Sequence, residues 1–142
     1  MRRVPVPLVP APVRWLGVAV VAAVIFHLSV LAVPPEQPIV AGPPDFLPLD
    51  KWRHFLAYAA FAGSLAYATA EWDWRVRHLV LVIVGLTVGY GVGVEVIQAF
   101  LPARYFGLGD AYANAVGGLL VLPWFLLRPH LSFVAIPGDL GG

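Results

Sequence analysis

Residues 78–101, HLVLVIVGLTVGYGVGVEVIQAFL, decide the fold. The run is apolar along nearly its whole length and reaches the ~20 residues that carry a helix across ~30 Å of hydrocarbon. Its two main exceptions, Glu95 and Gln98, stand together near the end. Working outward, three further stretches are of comparable length. Residues 13–33 are interrupted only by His27 and Ser29, residues 52–70 are rich in Ala, and residues 111–127 carry Pro123, which is expected to kink or thin the helix. The expected fold class is therefore all-α. Four transmembrane helices form one bundle over residues 13–128, with a cytoplasmic segment 1–12 before it and a peripheral tail 129–142 after it.

Composition leads to the same class. Of 142 residues, 60% are apolar and 12% charged, and the mean hydropathy is +0.81. A soluble domain is about half apolar and about a quarter charged. The net charge of +1 leaves no basic stripe for nucleic acid. With no Cys, disulfides, thiolate metal sites and a Cys nucleophile are excluded. No motif implies a cofactor or a metal.

The connections fit the four stretches. Pro34, Pro35, Pro38, Pro43 and Pro44 make residues 34–49 a stiff loop, and Asp50 follows where an N-cap belongs. Residues 71–77, EWDWRVR, form a charged hairpin, with Trp72 and Trp74 at interfacial depth and Trp124 as a further anchor. Pro102 stops the third helix, and Asp110 is expected to cap the fourth. Arg2, Arg3 and Arg14 could flank a signal peptide, but the apolar run after them exceeds the 7–15 residues of a signal core, which favours an uncleaved helix. With the N-terminus inside, Arg2, Arg3, Arg14, Arg75, Arg77 and Arg128 are cytoplasmic, and Lys51, Arg53 and Arg104 are outside. That bias sets a multi-pass protein of the cell membrane with both termini in the cytoplasm.

The polar residues against these apolar segments are not scattered. Asp50, Lys51, His54 and Tyr58 open the second helix; Glu95 and Gln98 close the third; Arg104 is in the next loop; Asp110 and Asn114 open the fourth. In an alternating topology all of them reach the outer face. At 100° per residue, Lys51, His54 and Tyr58 fall within an arc of about 60°, and Arg53 points away. Glu95 lies roughly 10 Å below the end of its helix, where a carboxylate needs a partner such as Lys51, His54 or Arg104.

Three motifs in order resemble the VanZ-like family: Asp50-Lys51-x-x-His54-Phe55-x-x-Tyr58, then Glu95-x-x-Gln98-x-Phe100-x-Pro102-x-Arg104, then Asp110-x-x-x-Asn114-x-x-Gly117. The resemblance covers about residues 50–120. Residues 105–109, Tyr-Phe-Gly-Leu-Gly, depart from it where a further acidic residue would be expected before Asp110. The resemblance implies a small multi-helix membrane protein, and a link to lowered susceptibility to teicoplanin-type antibiotics.

Several functions remain open for the cluster. It could bind a lipid headgroup or another cell-envelope component. It could be an enzyme on a lipid-linked substrate, with Glu95 and His54 as acid–base pair. It could be purely a fastener, since Asp50, Glu95 and Asp110 nearly balance Lys51 and Arg104. A small transporter is the remaining alternative, although no polar residue continues the stripes to the inner leaflet. A metal held by His54, Glu95 and Asp110 is disfavoured without an HExxH motif or a second nearby His. A Ser/His nucleophile is disfavoured because Ser64 lies far below His54. Gly85, Gly89 and Gly93 form a double GxxxG whose face is expected to pack inside the bundle, or else between protomers of a homo-oligomer. Gly117, Gly118 and Ala113 are expected to let the fourth helix approach the cluster. His27 reads as a packed or hydrogen-bonded residue, and His78 and His130 as boundary residues.

Overall fold

The computed structural model describes residues 3–32, 49–102 and 108–136. The chain is mostly helical. Strand β1 (Val4–Leu8) leads into α1 (Ala11–Phe26), which runs on as a π-helical turn (His27–Leu31). Helices α2 (Leu49–Ala68), α3 (Val76–Gln98), α4 (Leu108–Leu119) and α5 (Leu122–Leu127) follow, and a 3-10 turn (Arg128–His130) leads into β2 (Leu131–Ala135).

Three helical stretches are long and apolar enough to cross a membrane: Ala11–Leu31, Val76–Gln98 and Leu108–His130. Helix α2 does not join them. It has 20 residues, but Asp50, Lys51 and Arg53 occupy its first turn and Ala dominates the rest. Its position explains the tolerance. It packs against α1, α3 and, most extensively, α4, and Tyr58, Phe61, Ala62, Leu65 and Ala66 are buried in the core with Leu79, Ile83, Val121 and Phe125. A helix wrapped by its neighbours needs small side chains for close approach more than it needs an apolar outer surface. The outward surface elsewhere is apolar, with Leu16, Val20, Leu28, Leu81, Leu86 and Leu126 all exposed. A patch of that extent on a soluble protein would be a liability; against acyl chains it is the expected surface.

The last apolar stretch, Leu108–His130, is broken, as Pro123 required. Leu120 and Val121 bond back to Gly117 and Gly118 in a tightened turn, and α5 restarts with Pro123 in its first turn, where a missing N–H costs nothing. Two expected caps move inside their helices. Asp50 lies in α2, which starts at Leu49, with its side chain outside the described residues, and Asp110 lies in the first turn of α4, where its charge suits the helix dipole.

The terminal segments depart from the all-α expectation. Val4–Leu8 and Leu131–Ala135 pair as a parallel two-stranded ribbon, Val4 opposite Leu131 and Leu8 opposite Ala135. Prolines in VPVPL argue against a strand, yet they set the register. The bond from Ile136 N–H to the Leu8 carbonyl (2.9 Å) turns Val4, Val6 and Leu8 toward β2. Pro5 and Pro7, which have no N–H to donate, therefore face outward, where none is needed.

That ribbon marks one end of the bundle. Arg14, in the first turns of α1, pairs there with Glu71 of the α2–α3 turn. Arg128 donates through Nη2 to the carbonyls of Ala70 and Trp72, both at 2.9 Å, holding the turn that follows α2. Trp72 packs against Trp15 and Trp74 at the same end. The start of α2, the end of α3 and the start of α4 consequently share the opposite end.

Candidate functional site

At that opposite end, α2 and α4 touch through their backbones. A Cβ placed on Gly117 would lie 2.3 Å from the Phe55 carbonyl oxygen, and one on Gly118 would lie 3.0 Å from Thr87 Cγ2 of α3. On α3, a Cβ at Gly91 would meet Tyr58 Cε1 at 3.0 Å and Asn114 Nδ2 at 3.3 Å. These glycines let three helices close around the polar side chains.

Lys51, His54 and Tyr58 recur on one face of α2 at the i, i+3, i+7 spacing, and Asp110 and Asn114 on one face of α4 at i, i+4. Lys51 Nζ pairs with Asp110 Oδ1. His54 Nδ1 is 3.0 Å from Asn114 Oδ1, and its Nε2 is 3.8 Å from Asp110 Oδ1. With Asn114 Oδ1 as acceptor, Nδ1 carries the hydrogen, and Nε2 is left facing Asp110.

The cluster has two tiers. The side chains of Lys51, His54 and Asp110 retain 26%, 21% and 20% of their exposure, forming a partly open rim. Beneath them Asn114, Tyr58 and Glu95 are buried, at 2%, 1% and 1%. The Tyr58 hydroxyl and Asn114 Nδ2 have no hydrogen-bond partner among the described residues. Glu95 lies within electrostatic reach of the Tyr58 phenol.

The remaining sequence candidates divide. Gln98 is buried but serves α1, donating through Nε2 to the Ser29 carbonyl at 2.8 Å. Glu95 and Gln98 share one stripe of α3, yet Gln98 bonds to α1 whereas Glu95 lies beneath the cluster beside Tyr58. Arg53 is exposed and turned away. Arg104 and the Asp50 side chain lie outside the described residues. Ser64 donates to the Phe61 carbonyl at 2.7 Å. Among the described residues, no group of three His, Asp or Glu side chains is arranged to hold a metal.

Two glycine expectations resolve differently. Gly117 and Gly118 bring α4 onto the cluster, whereas Gly85, Gly89 and Gly93 do not pack inside the bundle, since a Cβ on any of them meets nothing within 4 Å. The face is instead open. Gly85 and Gly89 line an apolar groove of about 440 Å³ with Phe61, Leu65, Leu86 and Tyr90. The close-packing glycine of α3 is Gly91, which lies one turn from Glu95 on the buried stripe. That i, i+4 relation to the carboxylate of the apolar run was the available signal, and the more regular GxxxG pattern obscured it. His27 is exposed rather than packed. The pairing of Arg14 with Glu71, remote in sequence, had no local signal at all.

The chain matches no protein-family model, and no curated protein or solved structure matches it.

Proposed function

We propose that this is a multi-pass protein of the cell membrane that binds a polar headgroup, or another envelope component, at the outer face through Lys51, His54, Asp110 and Asn114. In this reading α2 crosses along with the three apolar stretches, giving four crossings with both termini in the cytoplasm. Support comes from the burial of α2 among its neighbours and from the β1–β2 pairing, which holds the chain's first and last described segments at one end. The basic residues Arg14, Arg75, Arg77 and Arg128 favour the cytoplasm for that end.

The observation that carries the ligand reading is the two-tier cluster. A pure fastener would gain by closing over its ion pair, yet Lys51, His54 and Asp110 stay partly open above the buried Tyr58 hydroxyl and Asn114 Nδ2, which have no hydrogen-bond partner among the described residues. The VanZ-like resemblance of residues 50–120 supports an envelope role and a link to glycopeptide susceptibility. The test is the lipid retained by full-length protein purified from nanodiscs of mixed phospholipid and glycolipid. A Lys51→Ala/Asp110→Ala double variant should lose one retained lipid class while keeping its melting temperature. Equal retention by both proteins refutes the reading.

One observation favours an enzyme as the second reading. Asn114 holds His54 through Nδ1, leaving Nε2 at the partly open rim, where a general base acting with Glu95 would stand. Induced expression would then change the mass of a lipid or lipid-linked precursor, and His54→Ala would abolish the change. An unaltered lipid profile excludes it.

A further inference from the structure

The ribbon formed by β1 and β2 has two edges, and they are treated in opposite ways. Along β1, Pro5 and Pro7 occupy the outward positions and offer no N–H, and the Tyr67 hydroxyl covers the same edge, donating to the Pro7 carbonyl at 2.8 Å and accepting from Val9 N–H at 3.2 Å. This edge is closed to a further strand.

Along β2 the phase is reversed. Ser132, Val134 and Ile136 turn their N–H groups toward β1, as the Ile136-to-Leu8 bond requires. Phe133 and Ala135 therefore turn theirs outward, away from β1. The strand LSFVA carries no charge and no proline, the devices that guard exposed edges. A two-stranded ribbon is also marginal on its own and gains from a third or fourth strand.

We infer that the outer edge of β2 is a homodimer contact, in which β2 pairs antiparallel with β2 of a second copy about a two-fold axis through Phe133. Self-pairing fits this edge for three reasons. In antiparallel register the Phe133 N–H and C=O exchange bonds with their own counterparts, and each Ala135 N–H reaches the Leu131 carbonyl of the other copy. The contact is isologous and closes at two copies, because the β1 edges on either side of the resulting sheet are blocked. Finally, the absence of charge removes the repulsion that like charges would bring to a self-paired strand. Both copies share one bilayer, so the axis stands along the membrane normal and the ribbons lie flat across the bundle ends.

The chain has no Cys, so disulfide trapping reads the contact directly. Full-length protein in proteoliposomes carries Phe133→Cys, Leu131→Cys or Ala135→Cys and is oxidised. The Phe133→Cys variant should form a covalent dimer, because paired Cα atoms about 5.5 Å apart suit a disulfide. The Leu131→Cys and Ala135→Cys variants should stay monomeric alone and cross-link when co-reconstituted. Adding Ala135→Pro to Phe133→Cys should abolish the dimer while sparing the β1 ladder, which uses other N–H groups. Absence of the Phe133→Cys dimer overturns the inference. So does trapping that is equal at all three positions, or trapping that is unchanged by Ala135→Pro with the melting temperature retained.

Discussion

Replacing Gly117 by Ala tests how the candidate site is assembled. The new methyl would lie 2.3 Å from the Phe55 carbonyl oxygen. Ordinary contact begins near 3.4 Å, so α2 and α4 must part by about 1 Å, and the obstacle is helix backbone that cannot rotate away. Overpacking of this kind costs about 1–3 kcal/mol. The same separation would stretch the His54–Asn114 contact from 3.0 Å to about 4 Å, beyond hydrogen bonding, for roughly another 1 kcal/mol. A total of about 2–4 kcal/mol is a large part of a typical folding free energy of 5–15 kcal/mol. Gly89→Ala is the internal control, because its Cβ meets nothing within 4 Å and Ala is the better helix former by about 1 kcal/mol. Reversible unfolding of the purified protein in mixed micelles should rank Gly89→Ala at or above the parent and Gly117→Ala well below. Equal stability for the two variants would show that α2 and α4 do not meet at Gly117, and the geometry of the cluster would fall with it.

Three further outcomes follow from particular contacts. Gln98→Leu removes the bond to Ser29 and should cost about 1 kcal/mol in the same unfolding assay while leaving headgroup retention intact; loss of retention would return Gln98 to the ligand site. Arg14 is buried, and its Nε and Nη1 have no hydrogen-bond partner among the described residues, whereas Glu71 is 52% exposed, so Glu71→Ala should destabilise more than Arg14→Met, by about 1–3 kcal/mol against near neutrality. The reverse order in melting temperature would refute that reading of the pair. For topology, Leu108→Cys should react with an impermeant maleimide from outside intact cells and Asp73→Cys only after lysis; the opposite pattern inverts the proposed orientation.

The membrane class was legible because it depends on composition and segment length, which need no neighbours to be read. Residues 78–101 show it most clearly, and α3 departs from them only at its ends. The polar stripes of α2 and α4 were legible for a similar reason, since helical spacing alone aligns Lys51 with His54 and Asp110 with Asn114. Where spacing had to choose a neighbour it lost its power. Gln98 shares a stripe with Glu95 but bonds to α1, and the regular GxxxG face of α3 is open while the solitary Gly91 is packed. Periodicity gives a direction around a helix, and carries nothing about which helix stands there.

The terminal segments show the limit most sharply. Read alone, VPVPL is a poor strand and LSFVA an unremarkable one, because local propensity must count each proline as a lost donor. Only tertiary structure sets β1 beside β2, in the register where both prolines face away and cost the ladder nothing. The sequence by itself therefore determined a membrane chain with polar residues gathered near the helix ends. The tertiary structure decided which of them meet, which glycines bring the helices into contact, and that the two ends of the chain form a ribbon. Those choices rest on contacts between residues far apart in the chain, such as Val4 with Leu131, 127 positions away, and no local physical preference encodes them.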